Sequence, residues 1–198
     1  MDTILDRLVE AGTPLPTWSI TDGALTVTAG PATDLFIDPA ATDVAVPNVG
    51  RLVAPVASDF ILSAELEVDF AAQFDAGVLF VEYDELHWFK LCFEYTPLLQ
   101  PSVVTVVTRG TSDDSNSWLV DGNRVRLRVA RVGTAFALHS SFDGVRWDLA
   151  RYFTLGIPAG SEVRVGFLSQ SPLGEGCRTV FRDIRFSQET LADTRDGS

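Results

Sequence analysis

The stretch Trp88-Phe89-Lys90-Leu91-Cys92-Phe93-Glu94-Tyr95 carries the most suggestive chemistry in the chain. In an extended backbone successive side chains alternate faces, so Trp88, Lys90, Cys92 and Glu94 share one side and Phe89, Leu91, Phe93 and Tyr95 the other. The second set is a core face. The first combines an indole, an ammonium, a thiol and a carboxylate. A fully solvated face rarely carries Trp and Cys, whereas a half-buried groove does. An aromatic platform beside a few charged hydrogen-bonding groups suits the recognition of a sugar ring. A Lys90–Glu94 ion pair beneath a loop would account for the same residues without a ligand. Downstream, Arg109 and a polar stretch over 110–117 supply Asp113, Ser115 and Asn116. The expected ligand-binding set is therefore Trp88, Lys90, Glu94, Arg109, Asp113, Ser115 and Asn116. No catalytic residue is assigned; Glu94 comes first if the chain is an enzyme.

Other acidic groups are weaker candidates. Glu65, Glu67 and Asp69 alternate along one strand face. Retaining glycosidases need two carboxyls about 5–5.5 Å apart, and same-face neighbours on a strand are roughly 6.6 Å apart. The simpler reading pairs these acids with Arg124, Arg126 and Arg128 on an adjacent strand. Glu82 with Glu94 is the best pair for a glycoside hydrolase or lyase, provided their strands are neighbours. Acids and amides over 110–117 would suit calcium, but their spacing fits no calcium loop. The two histidines, His87 and His139, lie far apart, and Cys92 and Cys177 form no C-x-x-C pair. Phosphate-loop, dinucleotide, zinc-protease and nucleophile-elbow motifs are missing. No metal and no cofactor are expected. Ser141-x-Asp143-Gly144-x-x-Trp147 reads as a structural hairpin turn.

The chain has 198 residues, 46% of them hydrophobic and 21% charged. That is one globular domain of ordinary composition. Twenty-seven acidic and 15 basic residues leave a net charge of −12, which argues against a nucleic-acid partner. Fourteen of the basic residues are arginine; Lys90 is the only lysine. The N-terminus lacks a basic, apolar secretory leader, and no run of about 18 apolar residues exists for a membrane span. A reduced, cytoplasmic protein is expected.

The elements that must position these side chains are mostly strands. Residues 2–10 predict one short helix, with Ile4, Leu5, Leu8 and Val9 on a stripe and Gly12 as a stop. Residues 13–18 are extended because of their prolines. Strands are expected over 24–28, 33–38, 51–56, 60–70, 76–83, 87–95, 103–109, 124–130, 134–142, 145–154, 162–169 and 178–186, with 110–117 a loop. The fold class is all-β: a sandwich of two antiparallel sheets, behind a helical extension over 1–14 and followed by a flexible tail over 188–198.

Several segments together resemble one family: Phe74-Asp75-Ala76-Gly77-Val78-Leu79-Phe80, Trp88-x-Lys90-x-x-x-Glu94-Tyr95, Ser102-Val103-Val104-Thr105, Ser112-Asp113-Asp114-Ser115, the Ser141 hairpin and Val165-Gly166-Phe167. Over about residues 15–187 the chain is similar to the family of the yeast regulator-of-enolase protein, domain of unknown function 1349, within the concanavalin A-like lectin/glucanase superfamily. The resemblance implies a jelly roll with one concave sheet that holds sugars. Glu65-x-Glu67-x-Asp69 departs from the superfamily's glucanase motif, and the family brings no established activity. The expected function is a non-catalytic module that binds a carbohydrate or metabolite. A hydrolase or lyase, and a regulatory domain with a protein partner, are the alternatives.

Overall fold

The computed structural model describes residues 3–41 and 47–198. Two antiparallel sheets of seven strands face each other. The first sheet holds β1 (Val9–Gly12), β4 (Gly50–Val56), β13 (Val163–Gln170), β6 (Ala76–Asp84), β7 (His87–Tyr95), β8 (Pro101–Arg109) and β9 (Thr111–Leu119), in that order. The second holds β12 (Asp148–Thr154), β11 (Ala135–Ser141), β10 (Arg124–Val132), β5 (Phe60–Val68), β14 (Cys177–Ser187), β3 (Ala24–Ala29) and β2 (Thr17–Thr21). This is the expected β-sandwich, and among the described residues no helix is long and apolar enough to cross a membrane.

The core follows from period two. β5 alternates buried and half-exposed along its length. Its Leu62, Leu66 and Val68 meet Phe89, Leu91, Phe93 and Phe167 of the first sheet in one cluster. The Glu65, Glu67 and Asp69 face is a charge ladder rather than a catalytic strand. Arg126 bridges Glu65, Arg124 and Arg182 bridge Glu67, and Arg178 lies 3.1 Å from Asp69.

Four elements differ from the sequence expectation, the first being β2, Thr17–Thr21, which pairs with β3 where only an extended stretch over 13–18 was expected. The N-terminal helix is only a 3-10 turn, Ile4–Arg7, after which Leu8 turns to extended geometry and Val9–Gly12 pairs with β4. Residue 2, where that helix was expected to begin, lies outside the described residues. Residues 33–38 make a single bridge, Thr33 to Ser171, and otherwise lie across the first sheet. The 110–117 stretch is not a loop but most of edge strand β9, in register with β8. Its polar composition conceals a strand because an edge strand needs few apolar contacts and tolerates charge.

Strands β6, β7 and β8 are buried on both faces over most of their length. Leu35, Ile37 and Val49 supply the outer cover, packing with Val53, Val78, Phe80, Trp88, Cys92, Val104, Val106 and Leu168. The tail also departs from expectation. Leu191 buries against Ala130 and Ala137 on the outer face of the second sheet.

Candidate functional site

The groove lies where the covering segment crosses the outer face of the first sheet. Strand register sets its side chains in rows. Gln170, Ala76 and Glu94 stand opposite one another across β13, β6 and β7. Lys90 stands between Phe80 and Val106, and Val106 faces Asp114 of β9. Lys90 and Glu94 are two same-face steps apart, about 13 Å at Cα. The long lysine stem closes that distance: Nζ donates to Gln170 Oε1 at 3.0 Å. Gln170 Nε2 in turn donates to the Phe74 carbonyl at 3.3 Å.

The remaining walls come from two loops. The Ile37 amide donates to Ser112 Oγ at 2.9 Å and the Ser112 amide to the Ile37 carbonyl at 2.8 Å, which fixes the covering segment on β9. Burial of Leu35 and Ile37 leaves Asp34 and Phe36 at the cavity. The loop before β6 is tied by buried Asp75, which accepts from the amides of Ala71 and Ala72 and from Ser171 Oγ at 2.6 Å. Within it Phe74 adopts φ 67°, a conformation costly for a bulky residue, and its ring lines the groove. The result is a cavity of about 350 Å³. Phe36, Phe74, Val104 and Val106 form apolar walls, and Asp34, Lys90, Glu94, Asp114 and Gln170 supply polar groups.

The electrostatics centre on Glu94, which is 8% exposed. Burial pushes its carboxyl up to about 7; the Lys90 ammonium pulls the other way, and Asp34 and Asp114 add repulsion. Lys90 is 2% exposed, and its Nζ lies 3.9 Å from Asp34 Oδ1. Among the described residues it forms no bridge to Glu94 within 4 Å; its partners are Gln170 and Asp34. Cys92 sits beneath, and burial raises its thiol far above the usual range, which makes it an inert packing group. Cys177 belongs to the core between the sheets, on the other side of the first sheet, and both thiols are free. Among the described residues no group of three His, Cys, Asp or Glu side chains could hold a metal ion.

The structure brings together some of the expected residues and separates others. Lys90 and Glu94 line the same cavity. Asn116 shares their face on β9, opposite Val104. Trp88 is one row away and 1% exposed, with its indole N–H donated to the Glu85 carbonyl; it packs beside the groove rather than lining it. Arg109, Asp113 and Ser115 fall on odd positions of β8 and β9 and project to the opposite face. There Arg109 reaches the Thr154 carbonyl and Asp113 bridges Arg151 at 2.9 Å. Glu82 shares the outer face but stands opposite Trp88, six residues from the partner of Glu94, or about 20 Å along the strands. Its carboxylate is clamped by Arg51 and Arg164, so the two acids do not converge. Asp34, Phe36, Phe74, Asp114 and Gln170 were missing from the expected set. Period two applied to β9 as a strand would have chosen Asp114 over its neighbours; the others come from loops and a distant strand without local signal.

Residues 13–189 match the family described as "Protein of unknown function (DUF1349)". The chain belongs to that family. This DUF1349 protein superimposes on a functionally unknown protein from Saccharomyces cerevisiae with a TM-score of 0.83 at 20% identity, covering 93% of this chain and 98% of the other. It is similar to the carbohydrate-binding module CBM66 from Bacillus subtilis, with a TM-score of 0.58 at 12% identity over 90% and 94% of the two chains. It also resembles the GH43 protein BlXynB from Bacillus licheniformis, with a TM-score of 0.65 at 15% identity; the match covers 87% of this chain and 35% of that one. No curated protein matches in sequence. At these identities the structural matches define the sandwich and leave the chemistry to the side chains.

Proposed function

We propose that this DUF1349 protein is a non-catalytic binding module that takes a carbohydrate in the groove of Lys90, Glu94, Gln170, Asp34 and Asp114. One observation carries this reading. A cavity of about 350 Å³ combines two phenylalanine walls with five convergent hydrogen-bonding side chains. Small-ligand sites are typically 300–1,000 Å³, apolar, with a few placed polar groups. Phe36 and Phe74 offer apolar surface to the C–H face of a pyranose. Carboxylates and a lysine held by buried partners offer acceptors and donors to its hydroxyls. Likeness to a carbohydrate-binding module supports the reading by analogy. Asn116 and Trp88 flank the groove without lining the cavity. We keep Arg109, Asp113 and Ser115 outside it.

A glycan array with the purified protein tests the proposal. Binding to a discrete set of glycans is expected, and silence across the array would sink it. A hydrolase or lyase is the second reading, favoured by Glu94 being held near 7 beside the carboxylates of Asp34 and Asp114, a pattern that suits a general acid. Release of reducing ends that vanishes in Glu94→Gln would favour that reading. A regulatory role, suggested by the resemblance to the regulator-of-enolase family, would instead give a protein captured through the groove and lost with Lys90→Ala.

A further inference from the structure

The outer face of the second sheet carries a different chemistry. Its charges line up in cross-strand rows. In one row Arg126 of β10 and Arg182 of β14 flank Glu65 of β5. In the next, Arg128 and Arg185 flank Ser63. A β-bulge between Arg182 and Arg185 creates this second row, with Asp183 in a left-handed conformation at φ 49°. Without the extra residue Ile184 would oppose Ser63; with it, a second guanidinium does. Bulges commonly re-aim side chains in this way.

The first row is neutralised and the second is not. Glu65 and Asp183 both lie within 4 Å of Arg126, and Glu67 serves Arg124 and Arg182. Among the described residues neither Arg128 nor Arg185 has a carboxylate within 4 Å. Arg128 stacks on Trp147, 3.7 Å from the ring centroid, and gives one N–H to the Gly197 carbonyl. Its Nε is buried without an acceptor. Burial, and then the neighbouring Arg185 cation, push the Arg128 guanidinium below its usual range. In a protein of net charge −12, two adjacent unneutralised arginines mark a place where an anion is wanted. A cavity of about 100 Å³ opens beside them. Ser63, Arg128, Trp147 and Arg185 line one part of it, and Arg126 with its two carboxylate partners, Glu65 and Asp183, lines the rest, so the lining carries three guanidiniums against two carboxylates. Water occupies roughly 30 Å³ per molecule, so the space suits an anion of a few heavy atoms.

We propose that Arg128, Ser63 and Arg185 form a binding site for a small tetrahedral oxyanion, phosphate or sulfate, on the face opposite the groove. Guanidiniums on both sides grip the oxygens as charge-assisted donors, and the serine hydroxyl donates between them. Trp147 holds one guanidinium in position. The site stands independently of the carbohydrate reading, because it shares no residue with the groove.

Isothermal titration of the full chain with inorganic phosphate and with sulfate, at constant ionic strength against chloride, tests it. Saturable one-to-one binding is expected. Arg185→Gln, on an exposed side chain, should weaken it at least about tenfold, the equivalent of one charge-assisted hydrogen bond. Arg124→Gln, in another row, should leave it unchanged. O-phosphoserine titrated in parallel distinguishes the source: tighter binding than inorganic phosphate assigns the group to a larger ester, weaker binding to the free anion. No saturable heat with any of the three, or equal affinity in Arg185→Gln, would overturn the site.

Discussion

Glu94 carries a cost that grows with pH. Its folded carboxyl titrates at about 7 rather than near its ordinary 4.5, chiefly because it is buried. Between those values the native state binds more protons than the unfolded state, so stability falls as pH rises. The contribution is intact below pH 4.5 and lost above 7, a swing on the order of 3 kcal/mol. Glu94→Gln removes it. Urea unfolding should find the variant more stable than wild type at pH 8, with the gap shrinking towards pH 4.5; a gap independent of pH would contradict the burial argument. Lys90 has a different constraint. Its thin stem ends at Gln170 Oε1 at the cavity wall, and the planar fork of arginine would present its donors in a different geometry there. Gln170→Ala leaves that ammonium short of an acceptor and frees the Phe74 loop. It should destabilise by about 1–3 kcal/mol in chemical unfolding, and no measurable change would mean the Lys90 contact is idle. Lys90 and Glu94 were legible in the sequence because a strand face repeats every second residue. Gln170 was not, because it reaches Lys90 from 80 positions away through sheet register.

At the scale of elements, alternation and β-branched runs located the strands other than β1, β2 and β9, and failed where composition and pairing disagree. Thr111–Leu119 is polar enough to pass for a loop, yet β8 gives it a partner and Ser112 ties it to Ile37. Once it is a strand, Asp114 and Asn116 move to the groove face and Asp113 and Ser115 leave it. Residues 33–38 look like a strand because Leu35-Phe36-Ile37 is a short apolar run ended by Pro39. They pack as a cover instead, because the outer faces of β6 to β8 are apolar and need one. That need was visible in the sequence: Ala76–Val81 is apolar at every position except Gly77, which signals a strand covered on both sides. Close sheet pairing also dictates Gly166. A Cβ there would lie 1.9 Å from the Leu52 carbonyl oxygen, against backbone that cannot retreat. Gly166→Ala should therefore cost more than about 3 kcal/mol in thermal unfolding; a near-wild-type melting temperature would show that β4 can shift.

Across the whole molecule, each sheet has one face in the shared core and one face turned outward. The first sheet's outer face is half covered, which shapes the groove. The second's is partly sealed by the tail, where Leu191 packs on Ala130 and Ala137, His139 Nε2 meets the Thr194 carbonyl and Arg195 lies over Tyr152. Sequence alone gave the tail no periodic pattern, so a lone buried leucine could not be told from a frayed one. Leu191→Ala should lower stability by about 2–3 kcal/mol and raise proteolysis after residue 188; unchanged protease resistance would mean the tail is not held by that contact. The sandwich was legible from strand count and turn spacing. The groove was only half legible, because two of its walls come from loops whose positions depend on the completed sheets. Its proposed role rests on Lys90 more than on any other residue. The decisive measurement is a side-by-side glycan array of wild type and Lys90→Arg, both shown to be folded. Wild type should bind a discrete set of glycans that Lys90→Arg loses despite its conserved charge. An identical set for both proteins, or none for wild type, would contradict a carbohydrate site built around Lys90.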